Sequence, residues 1–313
     1  MFETPILYLI FNRPDLNEIT FPSICNIKPK KLFIAADGPR IGNDYDELNC
    51  KIARQYVLSK IDWDCEVQTL FRDENLGCGK AVSSAISWFF SHVDEGIILE
   101  DDCLPDISFY RFCSELLEKY RFDSNVMSIS GSNLLGSLTS FRGHSYFWGL
   151  GGIWGWATWK RSWANYDFEM TAFREFDKST LSNYFKSDIC CGYYYSFFEE
   201  FYLGNIDTWD VQWIFSIVVN NGLSINPYRN LVQNLGFGPS ATHTIDSKSF
   251  IRELKSLKIK FPLVHPNQKK LNKKYLKESI KKSTKKINLI EVIILKLKRT
   301  IYKYDKKYFS LDN

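Results

Sequence analysis

The stretch "GIILEDDCLP" (96–105) decides how this chain is read. Gly96-Ile97-Ile98-Leu99 has the apolar signature of a buried strand, and Glu100, Asp101 and Asp102 follow with no spacer. Three carboxylates at one strand end repel one another and raise each other's pKa values unless a cation neutralises them. Mg²⁺ or Mn²⁺ does so, typically through one or two carboxylates plus the phosphates of a substrate. Side-chain alternation puts Glu100 and Asp102 on one side and Asp101 on the other, so at most two of the three serve such a site directly. The competing reading is a solvated acidic turn, or a cap for a helix starting near Asp106 after Pro105. A cap needs one acid, not three.

Outward from this stretch, the first hundred residues alternate. "PILYLIF" (5–11), "KLFIAAD" (31–37), "EVQTLF" (66–71) and "GIILE" (96–100) read as strands. Helices are expected after "NRPD" (12–15), near 46–60, and over "NLGCGKAVSSAISWFF" (75–90). This rhythm predicts an α/β fold, a mixed but mainly parallel sheet with helices on both faces. Ligands of such sheets sit beyond the carboxyl ends of the strands. Arg13, Asp37, the 75–80 turn and the 100–102 acids all lie there. Arg13 can donate a fork of hydrogen bonds to base carbonyls or phosphate, and Asp37 can accept from a base N–H. Asn75, Gly77 and Lys80 belong to a turn that offers backbone N–H groups and one ammonium at a helix start. That turn fits neither the P-loop nor the dinucleotide pattern.

Past residue 105 the pattern loosens. A helix is expected over 106–120 and a strand over 126–131. The Trp- and Gly-rich "SYFWGLGGIWGWATWKRSWANY" (145–166) is expected to pass from strand and loop into a helix near Ala157. "DTWDVQWIFSIVVNNG" (207–222) reads as a helix capped by Asp207 and closed by Gly222. The polar stretch 225–244 reads as a mobile loop that orders on binding.

The chain has 313 residues, 45% hydrophobic and 16% aromatic, enough for a sizeable core and too aromatic for a disordered chain. The first apolar run reads as a strand rather than a secretory leader, and no stretch approaches the ~20 apolar residues of a bilayer span. Eight cysteines without C-x-x-C or zinc-ligand spacing suit reduced thiols in a cytoplasmic protein. The net charge of +4 hides a split, because residues 251–313 carry 19 Lys and Arg against 5 Asp and Glu, and the rest 21 against 31. An acidic body over 1–250, divided near 105 into a nucleotide-binding half and an acceptor half, is expected to carry a basic helical tail over 251–313. Within it "INLIEVIILKLKRTIYKY" (287–304) would be amphipathic and positive on a helix, favouring an anionic membrane surface; the alternative is packing on the body or a partner. The lysines are interleaved with apolar residues rather than set on a folded groove, so no nucleic-acid partner is expected.

With these stretches in hand, the chain resembles nucleotide-sugar glycosyltransferases of the GT-A fold, most closely the N-acetylglucosaminyltransferase I family and bacterial relatives. "EDD" looks like their DXD metal motif. "PILYLIFNRPDL" is similar to the opening strand whose Arg meets the uracil, and "FIAADG" to the strand whose Asp reads the base. "GGIWGWATWKRSWANY" resembles the acceptor-side segment, "TWDVQW" the helix bearing the catalytic base, and "NPYRNLVQNLGFGPSATHT" the donor-ordered loop. These stretches run in the same order over residues 5–245. The resemblance implies that Asp102 binds Mn²⁺ or Mg²⁺, while Glu100 and Asp101 hold sugar, ribose or the metal's waters. It implies that Asp210 deprotonates an acceptor hydroxyl, giving inversion at the sugar carbon. Trp156 and Trp209 are candidates on the acceptor side, and His243 could approach the diphosphate. Val211 departs from the family, which tends to carry a second Asp there.

The implied activity is sugar transfer from a UDP-sugar to a glycan or lipid-linked acceptor in surface polysaccharide synthesis, at the cytoplasmic face of a membrane. Two rivals share the fold. A sugar nucleotidyltransferase would need a Gly-rich basic loop after the first strand, which "FNRPDLNEIT" is not. A non-catalytic scaffold would tolerate loss of Asp102 and Asp210.

Overall fold

The structure, a computed structural model, describes residues 1–137, 143–237 and 253–284. Strands β1 (Ile6–Ile10), β2 (Lys31–Ala36), β3 (Glu66–Phe71) and β4 (Glu95–Glu100) pair in parallel in the order β3-β2-β1-β4. Between them run α1 (Pro14–Ile27), α2 (Asp44–Ser59) and α3 (Gly77–His92). Pro14 opens α1, where its missing N–H costs nothing. The Asn43 side chain caps α2 by accepting from the Asp46 N–H at 3.1 Å.

The sheet continues beyond β4 through residues of the second half. The short β5 (Cys103–Pro105) and α4 (Ser108–Lys119) follow the acids, then β6 (Val126–Ser130), β7 (Tyr146–Gly149) and β8 (Trp156–Trp159). After α5 (Lys160–Trp163) come α6 (Lys178–Phe185), α7 (Asp188–Tyr202) and α8 (Asp210–Val219), and the chain re-enters sheet at β9 (Leu223–Pro227) and β10 (Val232–Asn234). Among the described residues the main sheet has eight strands, β3-β2-β1-β4-β8-β6-β9-β7, with β8 and β7 antiparallel to their neighbours.

Both faces of this sheet are covered, as its strand sequences require. Ile6, Tyr8 and Ile10 point to one face with Leu32, Ile34, Ile97 and Leu99, where α1, α2 and α4 supply Phe21, Val57 and Phe112. The alternate residues Leu7, Leu9, Phe33 and Ile98 point to the other, against Ile86 and Phe89 of α3 and Trp213 of α8. Period-two alternation thus feeds two cores from one run of strands.

Three expectations change. The helix anticipated from Ala157 is instead strand β8, inserted antiparallel between β4 and β6. Gly151, Gly152 and Gly155 all have positive φ and turn the chain into it, after which Ala157 and Trp159 face one core and Trp156 the other. Helix α8 starts at Asp210, not Asp207, because the Asp207 carboxylate accepts from the Gly79 N–H rather than capping its own helix. The stretch taken for a mobile loop contains β9 and β10; only its end, with His243, lies outside the described residues.

The described part of the basic stretch packs onto the body. Leu257 donates its N–H to the Asn230 carbonyl at 2.7 Å and Ile259 to the Ser108 hydroxyl at 3.0 Å. Helix α9 (Lys273–Thr284) then buries Tyr275, Leu276 and Ile280 in the second core. The amphipathic segment 287–304 lies outside the described residues. Among those described, no helix is long and apolar enough to cross a membrane, and all eight cysteines are unbridged.

Candidate active site

A cleft of about 550 Å³ opens at the carboxyl ends of β1, β2 and β4. Its lining includes Arg13, Asp37, Asn75, Gly77, Glu100, Asp101, Asp102, Trp209 and Asp210, so the structure brings together nine of the residues singled out in the sequence. Lys80 is exposed and does not line it. Trp156 is fully buried beneath the cleft and stacks on Trp209, centroids 5.6 Å apart and planes 22° from parallel. Trp156 therefore supports Trp209 and cannot meet an acceptor.

The acidic triplet is held from several sides. Thr20, on α1, donates its hydroxyl to the Asp101 carbonyl at 3.0 Å. Arg13 forks onto both aspartates: it donates to Asp101 through two nitrogens and to Asp102 at 3.1 Å. Burial works against the Arg13 charge, but Asp101 and Asp102 outweigh it and hold its pKa above the ordinary value. Burial raises the Asp101 carboxyl, with Arg13 opposing. Burial, and then the Asp102 charge, push the Glu100 carboxyl well above the carboxylate range; Asp210 adds to the same effect. Glu100 Oε1 is buried with no hydrogen-bond partner.

The Gly-rich turn at the start of α3 is not an open cradle of N–H groups. Asp37 accepts from the Leu76 N–H at 3.0 Å and from the Asn75 amide at 3.0 Å, and burial raises its pKa. Asp207 accepts from the Gly79 N–H at 3.1 Å. The protein's own carboxylates thus occupy donors that a phosphate would have used. Cys78, in the cleft wall, has its thiol pushed up to about 12 by burial and by the Glu100, Asp207 and Asp210 charges, which keeps it a neutral thiol.

Several lining residues were not singled out as site residues in the sequence, although Asp207 was read as a helix cap and Asn234 and Gly236 lie in the stretch read as the donor-ordered loop. Arg40 and Arg72 come from loops after β2 and β3, and Asp207 and Thr208 from the approach to α8. Asn234 and Gly236 arrive because β10 pairs antiparallel with β5, setting Asn234 opposite Cys103. A Cβ on Gly236 would fall 2.3 Å from Asp102 Oδ2, so any larger residue there would displace that carboxylate. The signal was present in "NLGFG" (234–238), but its partner lies 132 residues away.

The cleft wall carries six carboxylates (Asp37, Glu100, Asp101, Asp102, Asp207, Asp210) against three guanidiniums (Arg13, Arg40, Arg72). An anionic ligand would be repelled there unless a cation came with it. The donor set suits a hard divalent ion. Asp102 Oδ1 has only long contacts, 3.5 Å to Asn234 Nδ2 and 3.6 Å to Cys103 Sγ, which leaves lone pairs free. Among the described residues no three His, Cys, Asp or Glu side chains form a metal-holding group. A cation held by Asp102 would need further oxygens from its ligand.

No family model matches the chain, and no curated protein matches it. Several solved structures are partly similar. HddC from Yersinia pseudotuberculosis is 11% identical over 56% of this chain and 87% of its own, with a TM-score of 0.33. S. aureus TarS 1–349 is 10% identical over 50% of this chain and 47% of its own, TM-score 0.34. Mouse xyloside xylosyltransferase 1, in its apo form, is 10% identical over 42% of this chain and 53% of its own, TM-score 0.24. The chain spans about half the length of the latter two.

Proposed function

We propose that the chain is an inverting, metal-dependent glycosyltransferase that moves a hexosyl or N-acetylhexosaminyl group from a UDP-sugar to a hydroxyl of a glycan or lipid-linked acceptor. The observation that carries this is a cleft joining Asp210 to the acidic triplet at the carboxyl rim of a parallel sheet. Its excess of carboxylates suits a donor that arrives with a cation. The resemblance of the sequence to the N-acetylglucosaminyltransferase I family points the same way.

In this reading Asp102 holds Mn²⁺ or Mg²⁺, which when bound neutralises charge on the leaving diphosphate. Arg13 and Asp37 line the nucleotide side. Asp210 accepts the proton of the acceptor hydroxyl as the oxygen bonds to the anomeric carbon. The bond from that carbon to the diphosphate oxygen breaks, and UDP leaves from the opposite face. The basic stretch from 251 onward brings the enzyme to an anionic membrane surface carrying the acceptor.

A thermal-shift panel of nucleotide-sugars with and without Mn²⁺ tests the donor and the metal together. A UDP-sugar should raise the melting temperature with Mn²⁺, lose the effect with EDTA, and lose it in Asp102→Asn. Asp210→Asn should keep that shift and lose turnover by roughly 10²–10⁴-fold, the range of a general base. No shift with any nucleotide, or full turnover in Asp210→Asn, would overturn the reading.

A further inference from the structure

We infer that Asp207 is a positioning residue for Asp210, and that the glycines of "NLGCGK" (75–80) serve this junction rather than a phosphate. The inference rests on the proposed role of Asp210 as base. Residues 207–209 lead into α8 against the first turn of α3, and Asp207 Oδ1 accepts from the Gly79 N–H at 3.1 Å. A Cβ on Gly79 would fall 2.5 Å from Asp207 Oδ1 and 2.9 Å from the Thr208 carbonyl oxygen; one on Gly77 would sit 3.0 Å from Asp207 Oδ2. Gly77 also has φ +78, which an ordinary residue adopts only at a cost. The two glycines therefore let the 207–210 segment seat directly on α3.

From that anchor the segment is tied down as far as the base. Gln212 donates its amide to the Thr208 carbonyl at 2.6 Å, and Tyr166 donates its hydroxyl to the Trp209 carbonyl at 3.1 Å. The Thr208 hydroxyl donates to Asp210 Oδ1. Asp210 is thus fixed through its backbone to α3, and α3 is fixed through Leu76 and Asp37 to the end of β2. Glu100 ends β4 of the same sheet and Asp101 and Asp102 follow it directly, so base and triplet keep one separation across the cleft. Asp207 acts here as an acceptor of one hydrogen bond, which an amide oxygen can replace.

Metal-dependent release of UDP from UDP-N-acetylglucosamine and UDP-glucose, with water as the acceptor, reads this out in the full chain. Asp207→Ala should lower kcat about 10²-fold, the scale of an ångström-level misplacement, with KM for the donor within about twofold of wild type. Asp207→Asn should recover most of that loss, because its side-chain oxygen still accepts from the Gly79 N–H. Gly79→Ala, which displaces the segment from the other side, should reproduce the kcat defect. Retention of the Mn²⁺-dependent UDP thermal shift in each variant shows that the fold and donor site persist. An undiminished kcat in Asp207→Ala overturns the inference, as does an Asn variant as impaired as Ala, which would mean that the charge matters and not the bond. Absence of UDP release by the wild-type chain from both donors, together with no thermal shift from any UDP-sugar, overturns the glycosyl-transfer reading itself, a distinct outcome.

Discussion

The Arg13 guanidinium forks onto Asp101 and Asp102, so the cleft already holds one positive charge against two of its six carboxylates. A divalent ion entering at Asp102, as proposed, would compete with it. Two cations in one pocket repel, so the ion should bind well only when an anionic nucleotide accompanies it or draws Arg13 away. Arg13→Met removes the competitor without removing a ligand. Mn²⁺ titrated alone, followed by electron paramagnetic resonance, should bind this variant on the order of tenfold more tightly than wild type, a modest share of one charge–charge interaction at intermediate dielectric. Unchanged Mn²⁺ affinity would show that Arg13 does not guard the acids. The sequence identified both Arg13 and the acids as rim residues. It could not show that they pair, because 88 residues separate Arg13 from Asp101 and only the parallel registry of β1 with β4 brings them together.

At the scale of elements, the β-α alternation of residues 1–105 was legible because each strand and helix there answers to its own local pattern. Strand β8 was not. "WATW" (156–159) is four residues, too short for periodicity to separate strand from helix, and its identity comes from pairing with β4 and β6. Thr158 shows what that insertion contains: it is fully buried and donates its hydroxyl to the Met127 carbonyl at 2.6 Å. Thr158→Val keeps the shape and removes the donor. It should lower stability by about 1–2 kcal/mol in urea unfolding, the cost of one buried acceptor left unpaired. A neutral result would mean that another donor reaches that carbonyl. The start of α2 offers a pH-dependent counterpart. Asp46 is fully buried and accepts from Arg40 and from Asn12 at 2.7 Å, and the Arg40 hydrogen bond, first among its interactions, holds its carboxyl below the ordinary range. A depressed carboxylate pKa stabilises the fold above the unfolded value near 3.9 and stops doing so as pH falls through the folded one. Asp46→Asn should therefore cost about 1–2 kcal/mol at pH 7, limited because Arg40 is more than half exposed and screened. The gap between variant and wild type should close below about pH 4; a gap that stays constant down to pH 3 would rule out the charge as its source.

Across the whole molecule, charge and packing divide the chain differently. By charge, the basic block begins near 251, and composition alone suggests a detachable tail. By packing, residues 253–284 belong to the body, with Ile259 and Leu263 in one core and Tyr275, Leu276 and Ile280 in the other. Few apolar residues suffice for this because each is spent on the body: Tyr275 packs its ring 4.6 Å from that of Phe147 and accepts from the Leu134 N–H at 3.0 Å. Lysine density hid those anchors. Leu276→Ala should destabilise the fold by roughly 2–5 kcal/mol, and tryptophan fluorescence, whose reporters lie in the body, should shift to a lower melting temperature. An appendage would leave that transition where it was. The same packing sets the terms of membrane contact. Residues 253–284 carry 10 Lys and Arg against 2 Asp and Glu, so about half of the basic block is attached to the acidic body. A chain ending at Thr284 should therefore still sediment with phosphatidylglycerol vesicles at low salt, more weakly than the full chain, whose last 29 residues add 8 basic and 3 acidic side chains. Both should detach as ionic strength rises and the Debye length shortens, and neither should bind phosphatidylcholine. Full-chain binding that is equal on neutral and anionic vesicles would point to apolar insertion instead. No binding of the full chain to either would remove the membrane from the proposal.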